Sequence, residues 1–353
     1  MNTHVITVLA GDGIGLEVMP VAMEVLEAAI EGHDVRLEWR EQPWGSDYYR
    51  QHGRMMPTDA ITTMTATDAI FLGAVGHPDV SDVETLWGML IPIRREFDQY
   101  VNLRPVRSFS GVRSSLAGDP EIDVVIVREN VEGEYSAVGG RSYQGTPFEA
   151  AHQQSIFTRH GIERITRFAV EVAQGRSGRL VSATKSNGII HTMPFWDEVV
   201  AEVVAQSDGV QLESVLIDAL AARAVRSPQS IDVIVASNLF GDILSDLVAG
   251  AVGSIGIAPS ANLNPEREHP SMFEPVHGSA PDIAGRGIAN PIGQIWAGAM
   301  MLRHLGHDDI ATGLEEAFTA VLERGEVTPD LGGSLSTVEV GAAVIAELRR
   351  RRA

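Results

Sequence analysis

The densest chemical signal in the chain is the run Ser237-Asn238-Leu239-Phe240-Gly241-Asp242-Ile243-Leu244-Ser245-Asp246. The apolar stretch Ile231–Ala236 before it predicts a buried strand, Gly241 a turn, and residues 242–250 a helix. Asp242 and Asp246 are four apart, so both carboxylates leave one helical face. Hard divalent cations take oxygen ligands, and one or two carboxylates leave room for a substrate beside Mg2+ or Mn2+. A second reading of Asp242 is that it satisfies the helix N-terminus, where negative charge is favoured. Asp246 lies among Ile243, Leu244, Leu247 and Val248, and an acid beside an apolar stripe usually finds a partner. Asp218 follows Val215-Leu216-Ile217, another strand end, and by itself reads as a loop acid.

Arginine is the second signal. Trp87, Leu90, Ile91 and Arg94 fall at i, i+3, i+4 and i+7 of a helix over 82–97, in which Pro92 predicts a kink. Arg104 stands in Asn102-Leu103-Arg104-Pro105, and Arg128 ends the strand Val124–Val127. Three such residues could clamp carboxylates bidentately, or each could pair with surface acids. Tyr135 follows Arg128 by seven residues in the acidic loop Glu129-Asn130-Val131-Glu132-Gly133-Glu134. Lys185 follows an apolar strand in Ala183-Thr184-Lys185-Ser186-Asn187-Gly188. Either could carry a proton, and either could be an ordinary loop residue.

Two glycine-rich segments could meet a nucleotide. Gly11-Asp12-Gly13-Ile14-Gly15 joins a strand to a helix, but Leu16 stands where the Rossmann fingerprint needs its third glycine, so that match fails. Glu274–Gly285 has no helical period, and its backbone N–H groups could wrap phosphate or ribose, or simply form turns.

The elements that must position these residues alternate. Strands are predicted over Val5–Ala10, Asp68–Gly73, Ile122–Val127, Leu180–Ala183 and Ile231–Ala236. Helices are predicted near 16–30, 82–97, 162–174, 195–206, 242–250, 292–305, 310–324 and 338–351. This order predicts an α/β protein with a largely parallel mixed sheet, and 353 residues predict two domains. The formal charge of −20 makes nucleic acid and anionic membrane poor partners. An anionic substrate would therefore need a local cluster of arginines. The absence of cysteine excludes disulfides, thiolate metal sites and cysteine nucleophiles. No apolar run is long enough for a membrane span, and the N-terminal run lacks the basic flank of a signal peptide, so a cytoplasmic protein is expected.

Taken together the motifs resemble the β-decarboxylating dehydrogenase family, which comprises isopropylmalate, isocitrate, homoisocitrate and tartrate/D-malate dehydrogenases. The resemblance rests on Gly11–Gly15, Arg94 with Asn102–Pro105, Val127-Arg128-Glu129 with Tyr135, Lys185-Ser186-Asn187, Asn238–Asp246, Glu274–Asp282 and Ile288-Ala289-Asn290-Pro291. It implies a two-domain, non-Rossmann fold. A discontinuous cofactor-side domain would span 1–99 and 253–353, and a second domain, 100–252, would form a homodimer with shared active sites. Arg94, Arg104 and Arg128 match carboxylate clamps, Tyr135 the general acid, and Lys185 the base-side lysine, supplied by the neighbouring subunit. Asp218, from the neighbouring subunit, would join Asp242 and Asp246 around Mn2+ or Mg2+, with K+ a further candidate. Gly73, Asn187, His277, Gly278, Ser279, Ala280, Asp282 and Asn290 match the cofactor side. Asp282 would accept from ribose hydroxyls and repel a 2′-phosphate, favouring NAD.

Within the family the chain resembles the branch acting on tartrate and D-malate, through Tyr48-Tyr49, His52–Pro57, Leu86-Trp87-Gly88, Phe97–Asn102 and Ala258–Pro265. Trp87 and Leu90 offer no partner for the extra carboxylate of isocitrate, and Trp87 would fill the space of an isopropyl group. The expected reaction is NAD- and metal-dependent oxidation of a small 2-hydroxy dicarboxylate with β-decarboxylation. Ala219, Val225–Pro228 and His77 depart from this branch and keep 3-isopropylmalate as the alternative substrate. A non-catalytic regulatory relative is the remaining alternative.

Overall fold

The computed structural model describes residues 2–253 and 255–352. They form two compact units. The first comprises residues 1–99, 104–122 and 249–353, and the second residues 100–103 and 123–248. The expected α/β class with a largely parallel mixed sheet is what forms.

The chain opens in the first unit with β1 (Asn2–Gly11), α1 (Gly15–Ile30), β2 (Val35–Glu41), α2 (Ser46–His52), α3 (Ala60–Thr65), β3 (Ala69–Ala74), α4 (Asp82–Thr85) and α5 (Ile91–Glu96). Every residue of β3 is buried, which is why it reads as an unbroken apolar run. A wide π turn, Leu86–Leu90, joins α4 to α5. It corrects the simple kink expected at Pro92. The Ile91 N–H reaches back to the Leu86 carbonyl, and Pro92, which has no N–H to give, enters a fresh α turn. Met89, Ile93 and Phe97 anchor this segment on Ile70 and Leu72 of β3.

β4 (Val101–Arg107) runs from the second unit back into the first. The second unit then builds β5 (Asp123–Glu129), β6 (Gly139–Ser142), β7 (Ala150–Gln153), α6 (Arg159–Gln174), β8 (Arg179–Thr184), α7 (Thr192–Ala205), β9 (Gln211–Leu216), α8 (Ile217–Arg226), β10 (Val233–Ala236) and the start of α9 (Asn238–Val252). Its strands lie in the order β5-β10-β8-β9, all parallel, and β6 and β7 form a separate hairpin. In α6, Ile162, Ile165, Thr166, Ala169, Val170 and Ala173 repeat at helical spacing and are buried, and Thr158 caps the Gly161 N–H. Two expectations need correction here. Asp218 lies in the first turn of α8, not in a loop, because Leu220 and Ala224 bury an i, i+4 face. No turn separates β10 from its helix either, since α9 already begins at Asn238 and includes Gly241.

The chain returns to the first unit with β11 (Pro259–Leu263), β12 (Ser271–Pro275), α10 (Ile292–His304), α11 (Asp308–Glu323) and α12 (Thr337–Arg352). The strand order there is β2-β1-β3-β12-β11, parallel except for the last pair. Residues Ile292 to Leu302 of α10 are all buried, with α1 and α11 packed around the helix.

Candidate active site

In the second unit β10 leads straight into α9, and β5 beside it carries Arg128 next to its last residue. Arg128 is only 1% exposed. A cation this buried needs partners, and an unpaired one costs several kcal/mol. It has them in Asn238 and Asp242. Asn238 Oδ1 accepts from Arg128 Nη2 at 2.7 Å and Nε at 3.3 Å, and the Asp242 carboxylate accepts a short contact from Nη1. Gly241 makes this approach possible, because a Cβ there would lie 2.6 Å from Arg128 Cβ and Cγ. Tyr135 Oη donates to the other Asp242 oxygen at 2.9 Å, and its ring lies 5.6 Å from the guanidinium carbon. Asp242 is therefore no helix cap. Its carboxylate collects a guanidinium and a phenol, and it keeps 31% of its side-chain surface open. Asp246, one turn on, is exposed.

The second pair in this unit is Lys185 and Asp218. Lys185 follows β8, Asp218 opens α8 after β9, and the two strands are parallel neighbours. Lys185 Nζ reaches Asp218 Oδ1 at 2.6 Å. The hydrogen bond from Lys185, and then the helix backbone, hold the Asp218 carboxyl below its ordinary range. The pair is open, with side-chain exposures of 31% and 67%. Asn187, in the turn after Lys185, is exposed.

Among the described residues no three acids or histidines form a metal cage within one chain. Asp242 and Asp246 nevertheless offer carboxylate oxygens on one accessible helical face, the donor set of a hard divalent cation with open positions.

Glu129, beside Arg128, is 1% exposed. Its oxygens accept from the Val131 and Glu132 N–H groups. Burial, reinforced by the charge of Glu132, pushes its carboxyl up to about 7. In the sequence Glu132 and Glu134 show only as part of the acidic loop before Tyr135, and Glu129 and Asn238 only as members of longer motifs.

In the first unit Arg94 is 5% exposed and does not snorkel to water. Its Nη2 donates to Glu274 Oε1 at 3.1 Å, an oxygen that also accepts from Asn262 Nδ2 at 2.7 Å, and its Nε is buried without a hydrogen-bond partner. Arg104, on β4, is also buried. Trp87 and Leu90 flank the π turn half-buried, and the Arg95 guanidinium lies 5.2 Å from the Trp87 ring centre.

The glycine segments of this unit meet. The Ile14 N–H donates to the Ser279 carbonyl at 2.9 Å, and Gly13, at φ +55°, has no room for a Cβ, which would sit 2.1 Å from that oxygen. Asp12, missed in the sequence, fixes the loop by accepting from Ser46 N, Ser46 Oγ and Gly76 N at 2.6–2.8 Å. Glu17 likewise holds the Gly285 and Gly287 N–H groups. Gly73 is buried in β3 against the Ala10 carbonyl, a packing position. His277 Nδ1 lies 3.0 Å from the Gly278 carbonyl, and its Nε2 is buried with no partner. Burial lowers the His277 pKa, which keeps the ring neutral. Ser279 is buried, Gly278 and Asp282 are exposed, and Ala280 adopts φ +40°, uncommon for a residue with a Cβ. Asn290 donates to Asp330 at 3.1 Å. An orphaned buried imidazole nitrogen and an exposed carboxylate beside a glycine loop fit the base and ribose of a nucleotide.

Comparison with known proteins follows this geometry. The isocitrate/isopropylmalate dehydrogenase family pattern matches residues 5–344. The chain is 52% identical over 354 residues to the D-malate dehydrogenase [decarboxylating] of Escherichia coli, covering 98% of each. It is 49% identical over 352 residues to the probable tartrate dehydrogenase/decarboxylase of Bacillus subtilis, covering 99% of each. Among solved structures it superposes on isocitrate dehydrogenase from Methylococcus capsulatus with a TM-score of 0.89 and 34% identity, covering 98% of this chain and 99% of that one.

Proposed function

We infer the reaction from the family: this chain belongs to the isocitrate/isopropylmalate dehydrogenases, and we propose that it oxidises and β-decarboxylates D-malate or tartrate with NAD and a divalent cation. The observation that carries this reading is the Asp242 carboxylate, bonded at once by Arg128 and Tyr135 on the helix that also bears Asp246. It ties an anion clamp, a proton donor and a cation ligand to one side chain.

When bound, the cation would supply Lewis acidity for the 2-hydroxyl, and NAD would supply a hydride acceptor. Asp242 and Asp246 would hold that cation with Asp218 of a second copy. Arg94, Arg104 and Arg128 would hold the substrate carboxylates. Lys185 of that second copy, in its neutral form, would take the hydroxyl proton, through Asp218 or through water, as the C2–H bond breaks. The carboxylate β to the new ketone then leaves as CO2, and its electron pair stays on C3. Tyr135 delivers a proton to C3.

Four features support the finer points. The exposed Lys185–Asp218 pair suits a site completed by a second copy, and the same unit exposes Phe148 (80%), Tyr143 (73%) and Ile190 (67%) for it to cover. Asp282, exposed after the Ser279 turn, suits NAD over NADP. Trp87, with the Arg95 guanidinium 5.2 Å from its ring centre, would fill volume that an isopropyl group needs. The unit carrying both chain ends holds the glycine loops, which suits a cofactor-side domain.

The test compares kcat/KM for D-malate, the tartrates and 3-isopropylmalate with NAD and Mn2+ or Mg2+. D-malate or a tartrate should lead. A preference for 3-isopropylmalate of about tenfold, some 1.4 kcal/mol, would overturn the substrate. No NADH from any of them would favour a non-catalytic relative.

A further inference from the structure

Glu134 stands next to Tyr135 and has no role in the chemistry just described. The first N–H groups of a helix lack partners within it. At the start of α9 the Glu134 carboxylate supplies one, accepting from Leu239 N at 3.1 Å and from Ser237 Oγ at 2.8 Å. A carboxylate is electrostatically favoured there. One turn later the neighbouring Tyr135 donates to Asp242 in the same helix. A third tie joins Asn238 Nδ2 to the Glu132 carbonyl at 3.1 Å. The far side of the loop is fixed too, because the Glu132 carboxylate accepts from Thr158 N at 3.0 Å and Thr158 Oγ1 at 2.9 Å at the start of α6.

We propose that Glu134 is a positioning residue that clasps the Tyr135 loop to the first turn of α9, so that the acid and the Asp242 carboxylate are held in one register. The proposal rests on the roles inferred above for Tyr135 and Asp242. Without Glu134 the start of α9 loses its acceptor, and the loop keeps the Asn238 and Tyr135 ties on that side. The Arg128–Asn238 bonds do not involve Glu134, so substrate affinity should change little while proton delivery suffers.

The test uses the full-length enzyme with Mn2+, NAD and D-malate or tartrate, and the variants Glu134→Ala and Glu134→Gln. A displacement of about 1 Å at a reacting group can cost on the order of a hundredfold, so Glu134→Ala should lower kcat by about tenfold to a hundredfold and move KM by less than about threefold. Glu134→Gln should recover most of kcat, because its amide oxygen still accepts from Leu239 N and its NH2 group donates to Ser237 Oγ. Hydrogen exchange should rise in 131–135 and 237–242 of Glu134→Ala and stay unchanged elsewhere. If Glu134→Ala does not fold, Ser237→Ala removes one of the two bonds and should show the same pattern more weakly. Unchanged exchange in both segments, an unchanged kcat, or a glutamine variant as impaired as alanine would overturn the clasp. A wild-type enzyme inactive on these acids would overturn the proposed function instead, and exchange would still decide the clasp.

Discussion

Two ion pairs in the second unit are built from the same parts and behave differently. In each, a cation at the end of a parallel strand meets an aspartate near the start of a helix. Arg128 and Asp242 have 2% and 31% of their side chains exposed, and Lys185 and Asp218 have 31% and 67%. The buried pair is enclosed by Asn238, Gly241 and Tyr135 of its own chain. The open pair has one strong contact and a wide solvent face. Burial makes the first pair a piece of the fold, whereas the second can exchange its partner for a cation or a proton at little structural cost.

The contrast breaks most clearly by mutation. Asp246→Asn, at an exposed position, should abolish metal-dependent turnover, by at least about a thousandfold, and leave the melting temperature unchanged. Activity at the wild-type level would refute the metal assignment. Asp242→Asn should lose turnover to the same degree and also stability, by about 2 kcal/mol in urea unfolding, because Arg128 is left buried without its carboxylate. Equal stability in the two variants would erase the distinction between the pairs.

Sharing of the open pair can be sharpened further. Asp218→Asn should cost under about 0.5 kcal/mol of stability, as exposed pairs do, and still remove most activity. Co-expressed with Asp242→Asn it should restore about a quarter of wild-type turnover, since half the dimers are mixed and each has one intact site of two. No restoration would mean that each chain completes its own site.

The last effect concerns pH. Glu129 titrates near 7 in the fold and near 4.5 when unfolded. The folded state therefore holds the proton more tightly. Stability should fall as pH rises from about 4.5 to about 7 and level off beyond, by up to about 3 kcal/mol. Glu129→Gln should flatten that slope, and identical slopes in variant and wild type would refute a buried, protonated Glu129.

Much of the frame was legible before the structure. The continuous apolar runs of β1, β3 and β10 announced buried parallel strands, and the periodicity of α1, α6, α10, α11 and α12 placed those helices. Strands β11 and β12 were missed because polar residues interrupt them, and of β9 only the apolar end was legible. The wide turn at 86–90 was illegible because a π turn has no sequence period of its own. Arg128, Tyr135, Lys185 and the aspartates were identifiable as chemical types, but Asp12, Glu17 and Glu134 were not. Each of these holds backbone N–H groups, and any acid in a loop looks the same until the chain folds over it.

Spacing along the chain alone decided that Asp242 and Asp246 share a helical face, because i and i+4 are local geometry. It also decided the α/β class, since the order of apolar runs and amphipathic segments sets which elements can pack. Which side chains Asp242 meets was decided only by tertiary structure. Both readings of that residue were open until β5 and the loop after it brought Arg128 and Tyr135 to it, and Glu134 took the helix end. Hydrogen bonds between residues 103 to 114 positions apart leave no trace in local periodicity, because they depend on which surfaces the whole chain buries together.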